Sequence, residues 1–357
     1  MSSMNHGVQG PKAIFRCLES WCRNVFSENP GPGVFECIGE GLPSGPGRLL
    51  GIQSAQVEVL KPGFPEASAS NPSYLRIEAF RRIFQLTLCF TPEVESERAE
   101  LIVSALSSVL SMCVIEDSFG STMREAAEIQ CSLLREAPPD LAGFDIAVRC
   151  KPADEVGGDL YDFLELDAQT LGLAVGDASG HGLPAALLAR DIVIGLRMGM
   201  EKDLRPAHTL ERLNQVIHTS SLSSCFVSLL YAELETNGNL FYFNAGHEPP
   251  ILFGDGGLRH LSRSDTVIGP LEEARFKRHF AHVDRGSTLV IYTDGLLERR
   301  SDTGDLFGLD RLVQATESAL GKSAQEIVDH VFGEVDAFGS SPAWEDDATL
   351  LVVKRLG

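Results

Sequence analysis

The sequence predicts an α+β fold in which antiparallel strands are flanked by helices. Short apolar segments alternate with helical ones after Pro138-Pro139, and Asn237-Gly238 separates two of these segments, as in a β-hairpin. Residues 93–136 contain no proline and carry apolar residues at steps of three and four, which indicates a helix. A length of 357 residues exceeds one ordinary domain, so we expect two.

The first 92 residues are the least regular part of the sequence. Gly, Pro and Ser are frequent at 27–32 and 39–47, which predicts loops. The segments Leu49–Leu60 and Arg82–Phe90 have the apolar character of strands. We therefore expect residues 1–92 to form a small α/β region.

Residues 93–137 are predicted to form a helix, with a joint near Gly120, that ends at Pro138-Pro139. Its apolar stripe consists of Ile102, Leu106, Val109, Cys113, Phe119, Met123, Ala126 and Leu133. Such a stripe is either a packing face or the seam of a coiled-coil-like homodimer. Residues 138–357 then form the second domain.

Within this second domain the apolar patterns predict strands and helices in turn. The predicted strands are Phe144–Cys150, Leu160–Leu166, Leu171–Val175, Ser224–Leu234, Leu240–Asn244, Ser287–Thr293 and Ala348–Lys354. The predicted helices are Leu183–Met200, Pro206–Ser220, Gly308–Leu320 and Ala324–Phe338.

The chain is strongly acidic, with 50 Asp and Glu against 30 Lys and Arg and a formal net charge of -20. This balance argues against nucleic-acid binding and against docking on an anionic membrane, because both need a basic surface. The excess is concentrated after residue 120, where 37 acidic residues stand against 21 basic ones. It is either a solubilising surface or, in part, a cation site.

The cysteines, the N-terminal stretch and the lengths of the apolar runs indicate where the protein resides. The eight cysteines form no CxxC pair, which favours free thiols in a reducing cytosol. The stretch from Met1 to Lys12 lacks the pattern of a signal peptide, and no apolar run is long enough to span a bilayer. We therefore expect a cytoplasmic protein.

Aspartates stand at the ends of several short apolar segments. They are Asp159, Asp177, Asp294 and the pair Asp346-Asp347. Each alone is ordinarily a turn residue. Should they converge at one sheet edge, their oxygens would suit Mg²⁺ or Mn²⁺ rather than zinc. Two such ions activate a water for attack on a phosphate ester.

Five blocks, in order over roughly 125–357, resemble the motifs of PPM-type (type 2C-like) metal-dependent serine/threonine protein phosphatases of the SpoIIE/RsbU branch. They are Val156–Phe163 (VGGDLYDF), Val175–Ala186 (VGDASGHGLPAA), Asn244–Pro250 (NAGHEPP), Tyr292–Gly295 (YTDG) and Asp346–Leu350 (DDATL). Ile129-Gln130 also resembles the helix that precedes this domain in the family, although Arg135 stands where proline is common.

The resemblance implies a β-sandwich flanked by helices, with two Mn²⁺ or Mg²⁺ ions at one edge. The implied metal ligands are Asp159, Asp177, the backbone carbonyl of Ala178, Asp294 and Asp346. Among them Asp177, which would bridge both ions, and Asp159 are the implied catalytic residues. Asp346 is preferred to Asp347, because relatives in the wider superfamily often have Asn at the second position.

Other polar residues in these blocks receive lesser roles. Eukaryotic relatives place a histidine at the position of Ser179, so their catalytic histidine does not carry over to His181, for which a loop-supporting role is favoured. His247 is expected to orient its own loop. Asp162 is at most a neighbour of the metal ligands. Arg149 is not assigned to phosphate, because this branch generally lacks the phosphate-binding arginine.

The implied activity is hydrolysis of phosphoserine or phosphothreonine, with a phosphorylated anti-sigma-factor antagonist of a partner-switching pathway as substrate. Two alternatives stay open: a catalytically silent protein of the same fold that binds the partner, and a hydrolase of small phosphoesters. Because a sensory domain usually precedes the phosphatase domain in this branch, residues 1–92 are expected to be regulatory, with a loose GAF-type resemblance over 82–112. Residues 93–137 are expected to link the domains and to mediate a homodimer.

Overall fold

The chain divides into two units, Met1–Thr122 and Met123–Gly357. The computed structural model describes residues 11–28, 34–44, 46, 50, 52–60, 74–79, 82–91, 94–133, 137–200, 205–219, 225–261 and 265–357. The division falls inside the predicted linker, which is a single helix.

The N-terminal unit contains a three-stranded antiparallel sheet. Its elements are α1 (Pro11–Glu28), α2 (Val34–Gly41), β1 (Ile52–Leu60), β2 (Tyr74–Ala79), β3 (Arg82–Phe90) and the first part of α3 (Ser96–Leu133). β3 lies between β1 and β2. Both predicted strands are present, whereas α1, α2 and β2 were not predicted. Gly39 and Gly41, predicted in a loop, belong to α2.

Half of the apolar stripe of α3 is buried in the core of the N-terminal unit. The buried residues are Ile102, Leu106, Val109 and Cys113. This confirms the packing interpretation for that half, so these positions are not free to form a dimer seam. Of the second half, only Ala126 has a described side chain, and it is half-buried. α3 continues through Gly120 without the predicted joint, and no described helix is both long and apolar enough to cross a membrane.

The second unit is built from ten described strands and five described helices that follow α3. The strands are β4 (Phe144–Lys151), β5 (Asp159–Asp167), β6 (Thr170–Ala178), β7 (Val227–Glu235), β8 (Asn239–Ala245), β9 (Ile251–Gly254), β10 (Gly257–His260), β11 (His279–His282), β12 (Thr288–Tyr292) and β13 (Ala348–Arg355). The helices are α4 (Leu183–Gly199), α5 (Pro206–Thr219), α6 (Gly295–Glu298), α7 (Gly308–Ala319) and α8 (Ala324–Phe338).

These strands form two antiparallel sheets of five strands each. The first sheet has the order β11-β8-β7-β6-β5 and the second β10-β9-β12-β13-β4. Phe163 and Leu230 of the first sheet and Ile291 of the second belong to the core between them. Alternate residues of β12, Val290 and Tyr292, belong instead to the core beneath α7 and α8, as expected of a strand buried on both faces. α4 and α5 cover the other outer face.

This architecture confirms the predicted α+β sandwich flanked by helices. Every strand and helix predicted after residue 138 is present, with ends shifted by at most a few residues. The elements without a prediction are β9, β10, β11 and α6. Each has four residues, too few for an apolar period to be recognised.

Candidate metal centre

Asp159 lies at one end of the sandwich, where the two sheets meet. It opens β5 and is the direct cross-strand partner of Asp177 on β6. Its Oδ2 accepts hydrogen bonds from the hydroxyls of Thr293, at 2.8 Å, and Thr349, at 2.6 Å. Thr349 belongs to β13 and Thr293 directly follows β12, both strands of the second sheet. These bonds therefore hold Asp159 beside the strand ends next to which the other two predicted carboxylate ligands lie.

Thr293 and Thr349 also bond to each other across the ends of β12 and β13. The Thr293 amide donates to the Thr349 carbonyl at 3.1 Å, and the Thr349 amide donates to Thr293 Oγ1 at 2.8 Å. Asp294 is the residue directly before α6, to which its side chain makes no capping hydrogen bond, and Asp346 lies two residues before β13. Both threonines stand inside the sequence blocks, yet sequence reasoning gave them no role.

Gly157 and Gly158 allow the loop before β5 to approach the site closely. A Cβ on Gly158 would lie 2.5 Å from the Ala178 carbonyl oxygen and 3.3 Å from Asp177 Oδ1. A Cβ on Gly157 would lie 2.5 Å from Asp347 Oδ2. Glycine is therefore required here by crowding. The same distances show that the Ala178 carbonyl and the Asp177 carboxylate, both predicted ligands, lie next to Gly158.

The neighbours Asp346 and Asp347 are used differently. Asp347 is buried, and its two carboxylate oxygens accept hydrogen bonds from the amides of Ala153, at 2.8 Å, and Gly158, at 2.5 Å. Asp346 is half-buried, and its Oδ1 accepts the Asp347 amide at 2.9 Å. The backbone bonds of Asp347 hold the loop in place, which favours Asp346 as the metal ligand of the pair.

Burial and like charges raise the pKa of five carboxyl groups at this edge. Burial is the largest cause for Asp159, whose pKa lies well above its usual range, and the charge of Asp177 raises it further. Burial, followed by Asp294, Asp346 and Asp347, raises the pKa of Asp177 to about 7. Burial also raises the pKa of Asp294, Asp346 and Asp347. The charges of these carboxyl groups therefore interact, and a bound cation would reduce the repulsion between them.

The donor set fits hydrated divalent cations. Asp159 Oδ1 is buried and makes no hydrogen bond to any residue that the structure describes, a costly state for a carboxylate that lacks a cation. Among the described residues, no three Asp, Glu, His or Cys side chains are grouped closely enough to hold an ion alone. Mg²⁺ ordinarily keeps several waters and takes one or two carboxylates, so a spread set of oxygen donors suits it.

The two histidines of the sequence blocks lie in different surroundings. His181 is exposed and borders a cavity of about 450 Å³ beside Asp346. It partly opposes the rise in the pKa of Asp346 that burial causes. His247 is 2% exposed. Its amide donates to Asn244 Oδ1 at 2.8 Å, and its Nδ1 lies 2.9 Å from Ser228 Oγ. These bonds agree with the expectation that His247 orients its loop.

Asp162 and Arg149 are engaged away from the predicted ligands. Asp162 is fully buried and forms a two-point ion pair with Arg197 of α4, at 2.7 and 2.8 Å. This pair fixes α4 to β5. Arg149 pairs with Asp329 of α8. Neither residue is therefore placed to act on substrate at the Asp159 edge.

Arg299 is a buried residue of the site region that sequence reasoning missed. Its side chain is 1% exposed, and its Nη1 donates to the Ala343 carbonyl at 2.6 Å and to Glu345 Oε2 at 3.0 Å. Arg299 directly follows α6, so it joins the helix that begins after Asp294 to the loop that leads into Asp346. No signal in the sequence separates it from the neighbouring Arg300.

Gln130 fastens α3 to the glycine loop of the site. Its Nε2 donates to the Gly157 carbonyl at 2.6 Å, and its Oε1 accepts the Gly157 amide at 3.3 Å. Because Gly157 and Gly158 precede Asp159 directly, the end of the predicted linker contacts the loop that carries a predicted ligand.

The raised pKa values predict how the stability of the metal-free protein depends on pH. The folded state binds more protons than the unfolded state between about pH 4 and pH 7, since Asp177 titrates near 7 when folded. The free energy of unfolding in a chelator should therefore fall as pH rises through this window, by about 4 kcal/mol at most for Asp177. Urea denaturation measures it.

Added Mn²⁺ is the control for this pH dependence. It should raise the free energy of unfolding most at pH 7, the upper end of this window, where the folded carboxyl groups hold the fewest protons that the metal must displace. A free energy that stays flat or rises between pH 4 and pH 7 in chelator would contradict the electrostatics of the site.

Comparisons of sequence match this chain to one family and to several bacterial proteins. The family described as "Stage II sporulation protein E (SpoIIE)" matches residues 167–356. "Phosphoserine phosphatase RsbU" of Bacillus subtilis is 29% identical over 244 residues, 68% of this chain and 72% of RsbU. "Phosphoserine phosphatase RsbP" of the same organism is 23% identical over 206 residues, 56% of this chain and 50% of RsbP.

Comparisons of structure find the same fold in bacterial phosphatase domains. The SiaA-PP2C domain of Pseudomonas aeruginosa superposes with a TM-score of 0.59 at 21% identity, covering 67% of this chain and 98% of that domain. The RsbU and RsbW domains of a Mycobacterium tuberculosis protein give a TM-score of 0.52 at 28% identity, covering 63% of each chain. These likenesses agree with the sandwich described above.

Proposed function

This chain belongs to the SpoIIE family, and we propose that it is a metal-dependent protein phosphatase that hydrolyses phosphoserine or phosphothreonine. The observation that carries the proposal is the gathering of Asp159, Asp177 and their neighbours at one sandwich edge, with the buried Asp159 Oδ1 lacking a hydrogen-bond partner among the described residues. RsbU and RsbP, two relatives, are named phosphoserine phosphatases.

We assign the metal ligands to Asp159, Asp177, the carbonyl of Ala178, Asp294 and Asp346. When bound, two Mn²⁺ or Mg²⁺ ions would lower the pKa of water and neutralise charge on the phosphoryl group. The chain itself contributes orientation: Thr293 and Thr349 hold the Asp159 carboxylate through its Oδ2, so Oδ1 would be available to bind a cation.

The proposed substrate is a phosphorylated anti-sigma-factor antagonist of a partner-switching pathway. Support comes from RsbU and from the neighbour that contains RsbU and RsbW domains. A silent binding protein of the same fold is the rival function. The retention of all four predicted carboxylate ligands favours an enzyme over this rival, because a binding protein needs no cation site.

We also propose that residues 1–92 form a regulatory region of a cytosolic enzyme and that residues 93–137 carry its signal. Support comes from Gln130 of α3, which bonds both the amide and the carbonyl of Gly157. A homodimer through 93–137 would have to use positions other than the four stripe residues that the N-terminal core buries.

The proposed activity is tested by phosphate release from a phosphorylated antagonist protein, with Mn²⁺ or with chelator. We expect release with the metal and none in chelator. Binding of the phosphoprotein without any release, at saturating Mn²⁺, would establish the silent binder instead. Release from p-nitrophenyl phosphate alone would point to a small-phosphoester hydrolase.

The same assay on the fragment 121–357 tests the regulatory proposal. A rate that differs from that of the full chain, in either direction, is the expected result. Equal rates on the phosphoprotein would contradict a regulatory role for the N-terminal region.

A further inference from the structure

Four large apolar side chains are exposed around the loop that follows the predicted ligands Asp177 and Ala178. They are Leu183, Leu187, Phe226 and Leu271, with exposures between 37% and 56%. We call this set the apolar rim. Leu183 and Leu187 are one helical turn apart on α4 and therefore share a face. Exposed apolar side chains on adjoining segments ordinarily mark an interaction site when they form one patch.

The rim is bonded to the backbone of the ligand loop. Ser179, the residue after Ala178, donates its amide to the Phe226 carbonyl at 2.9 Å, and its Oγ accepts the Phe226 amide at 2.8 Å. Leu183 begins α4 only four residues later. A surface that binds to the rim is therefore held within a few residues of the predicted metal ligands.

Leu271 joins the rim through the segment that runs beside Phe226. A Cβ on Gly269 would lie 3.5 Å from the Phe226 Cα, so the two backbones are in close contact. The Leu271 carbonyl accepts a hydrogen bond from Asn214 Nδ2 at 2.7 Å. Asn214 is fully buried, so this bond fixes the position of Leu271 while its side chain remains exposed.

Charge distinguishes the rim from the acids that line the cavity beside Asp346. The segments 178–189, 225–228 and 268–271 contain no Asp, Glu, Lys or Arg. The cavity beside Asp346 is lined by acids that include Asp154 and Glu345, together with Gly180 and His181 of the first of these segments. A phosphoprotein carries a dianion into this site, and the acids of the cavity repel it. The four rim side chains carry no charge, although the exposed Glu272 and Glu273 directly follow Leu271.

We propose that the apolar rim docks a complementary apolar patch on the folded phosphoprotein substrate, next to its phosphorylated residue. This inference rests on the proposed function and deepens it, since it separates recognition of a folded protein from the chemistry at the carboxylates. Substrates too small to reach the rim, such as p-nitrophenyl phosphate, gain nothing from it. A second copy of the chain is the alternative occupant.

The test compares kcat/KM for a phosphorylated antagonist protein with kcat/KM for p-nitrophenyl phosphate in the full chain with Mn²⁺. In Leu187→Asp the ratio of the two should fall by about tenfold or more, the effect of a lost interface anchor. Leu187→Gln, which adds no charge, and Leu271→Asp, on a different segment, should lower the same ratio. The matched control is Met198→Asp, on the last turn of α4, where an exposed apolar residue lies outside the rim.

Each outcome decides the inference. A ratio that falls in the rim variants and stays at the wild-type value in Met198→Asp supports it. A ratio unchanged in all rim variants, or lowered equally by Met198→Asp, overturns it. A wild-type dimer that Leu187→Asp dissociates, with the ratio unchanged, assigns the rim to a second copy and also overturns it. Absence of hydrolysis of both substrates by the wild type would instead be a failure of the proposed function.

Discussion

Replacing Asp177 with Asn should lower metal-dependent phosphate release by about 10³-fold or more. The amide keeps the shape of the side chain but removes a charge that lies, like the Ala178 carbonyl, beside Gly158 and is the cross-strand partner of Asp159. Two bound divalent cations supply several kcal/mol of stabilisation to a phosphoryl transition state, and each 1.4 kcal/mol is about tenfold in rate. Phosphate release at saturating Mn²⁺ measures the loss.

The control for this substitution is Asp191→Asn. Asp191 is exposed on α4, the helix that follows the ligand loop, and the same loss of one negative charge there should leave the rate at its wild-type value. Turnover by Asp177→Asn within a few-fold of the wild type would refute the assignment of Asp177. A thermal melt of each variant shows whether the fold is kept.

Asp159→Asn should lower activity and keep stability, whereas Asp162→Asn should lower stability and keep activity, although both residues are buried on β5. An Asn at 159 can still accept the bonds from Thr293 and Thr349 through its oxygen, so the fold is kept while the charge for the cation is lost. Activity should fall by about 10²-fold or more. Because burial raises the pKa of Asp159, the metal-free protein should lose no stability.

Asp162→Asn instead removes the buried partner of Arg197. The free energy of unfolding should fall by about 2 kcal/mol, less than for a fully buried pair, since the Arg197 side chain is 37% exposed and can turn to water. The rate of the folded variant should stay close to the wild-type rate. Denaturation and phosphate release, measured on both variants, test these two predictions. A loss of stability in Asp159→Asn together with a loss of activity in Asp162→Asn would contradict the roles assigned to the two residues.

The strands of the sandwich were predictable because their apolar residues extend over five or more positions. β12 and β13 are buried on both faces, so they appear in the sequence as continuous apolar runs. β9, β10 and β11 are too short to show a period, and α1 and α2 stand beside Gly-rich and Pro-rich segments that indicate loops. The order of strands within each sheet depends on long-range pairing, which periodicity does not contain.

The candidate site was predictable in its residue types but not in its supports. Strand-end aspartates and the sequence blocks indicate Asp159, Asp177, Asp294 and Asp346. The hydroxyl bonds to Asp159 come from residues 134 and 190 positions away, and no local pattern encodes such contacts. The buried Arg299 is likewise indistinguishable from a surface arginine until the loop that it holds is in place.

Anomalous X-ray scattering from crystals grown with MnCl₂ tests the central claim most directly. Two manganese peaks should lie at the sandwich edge bounded by Asp159, Asp177, the Ala178 carbonyl, Asp294 and Asp346, and both should be lost or weakened in Asp177→Asn. An active protein with no manganese at these residues, or with manganese bound elsewhere, would contradict the assignment.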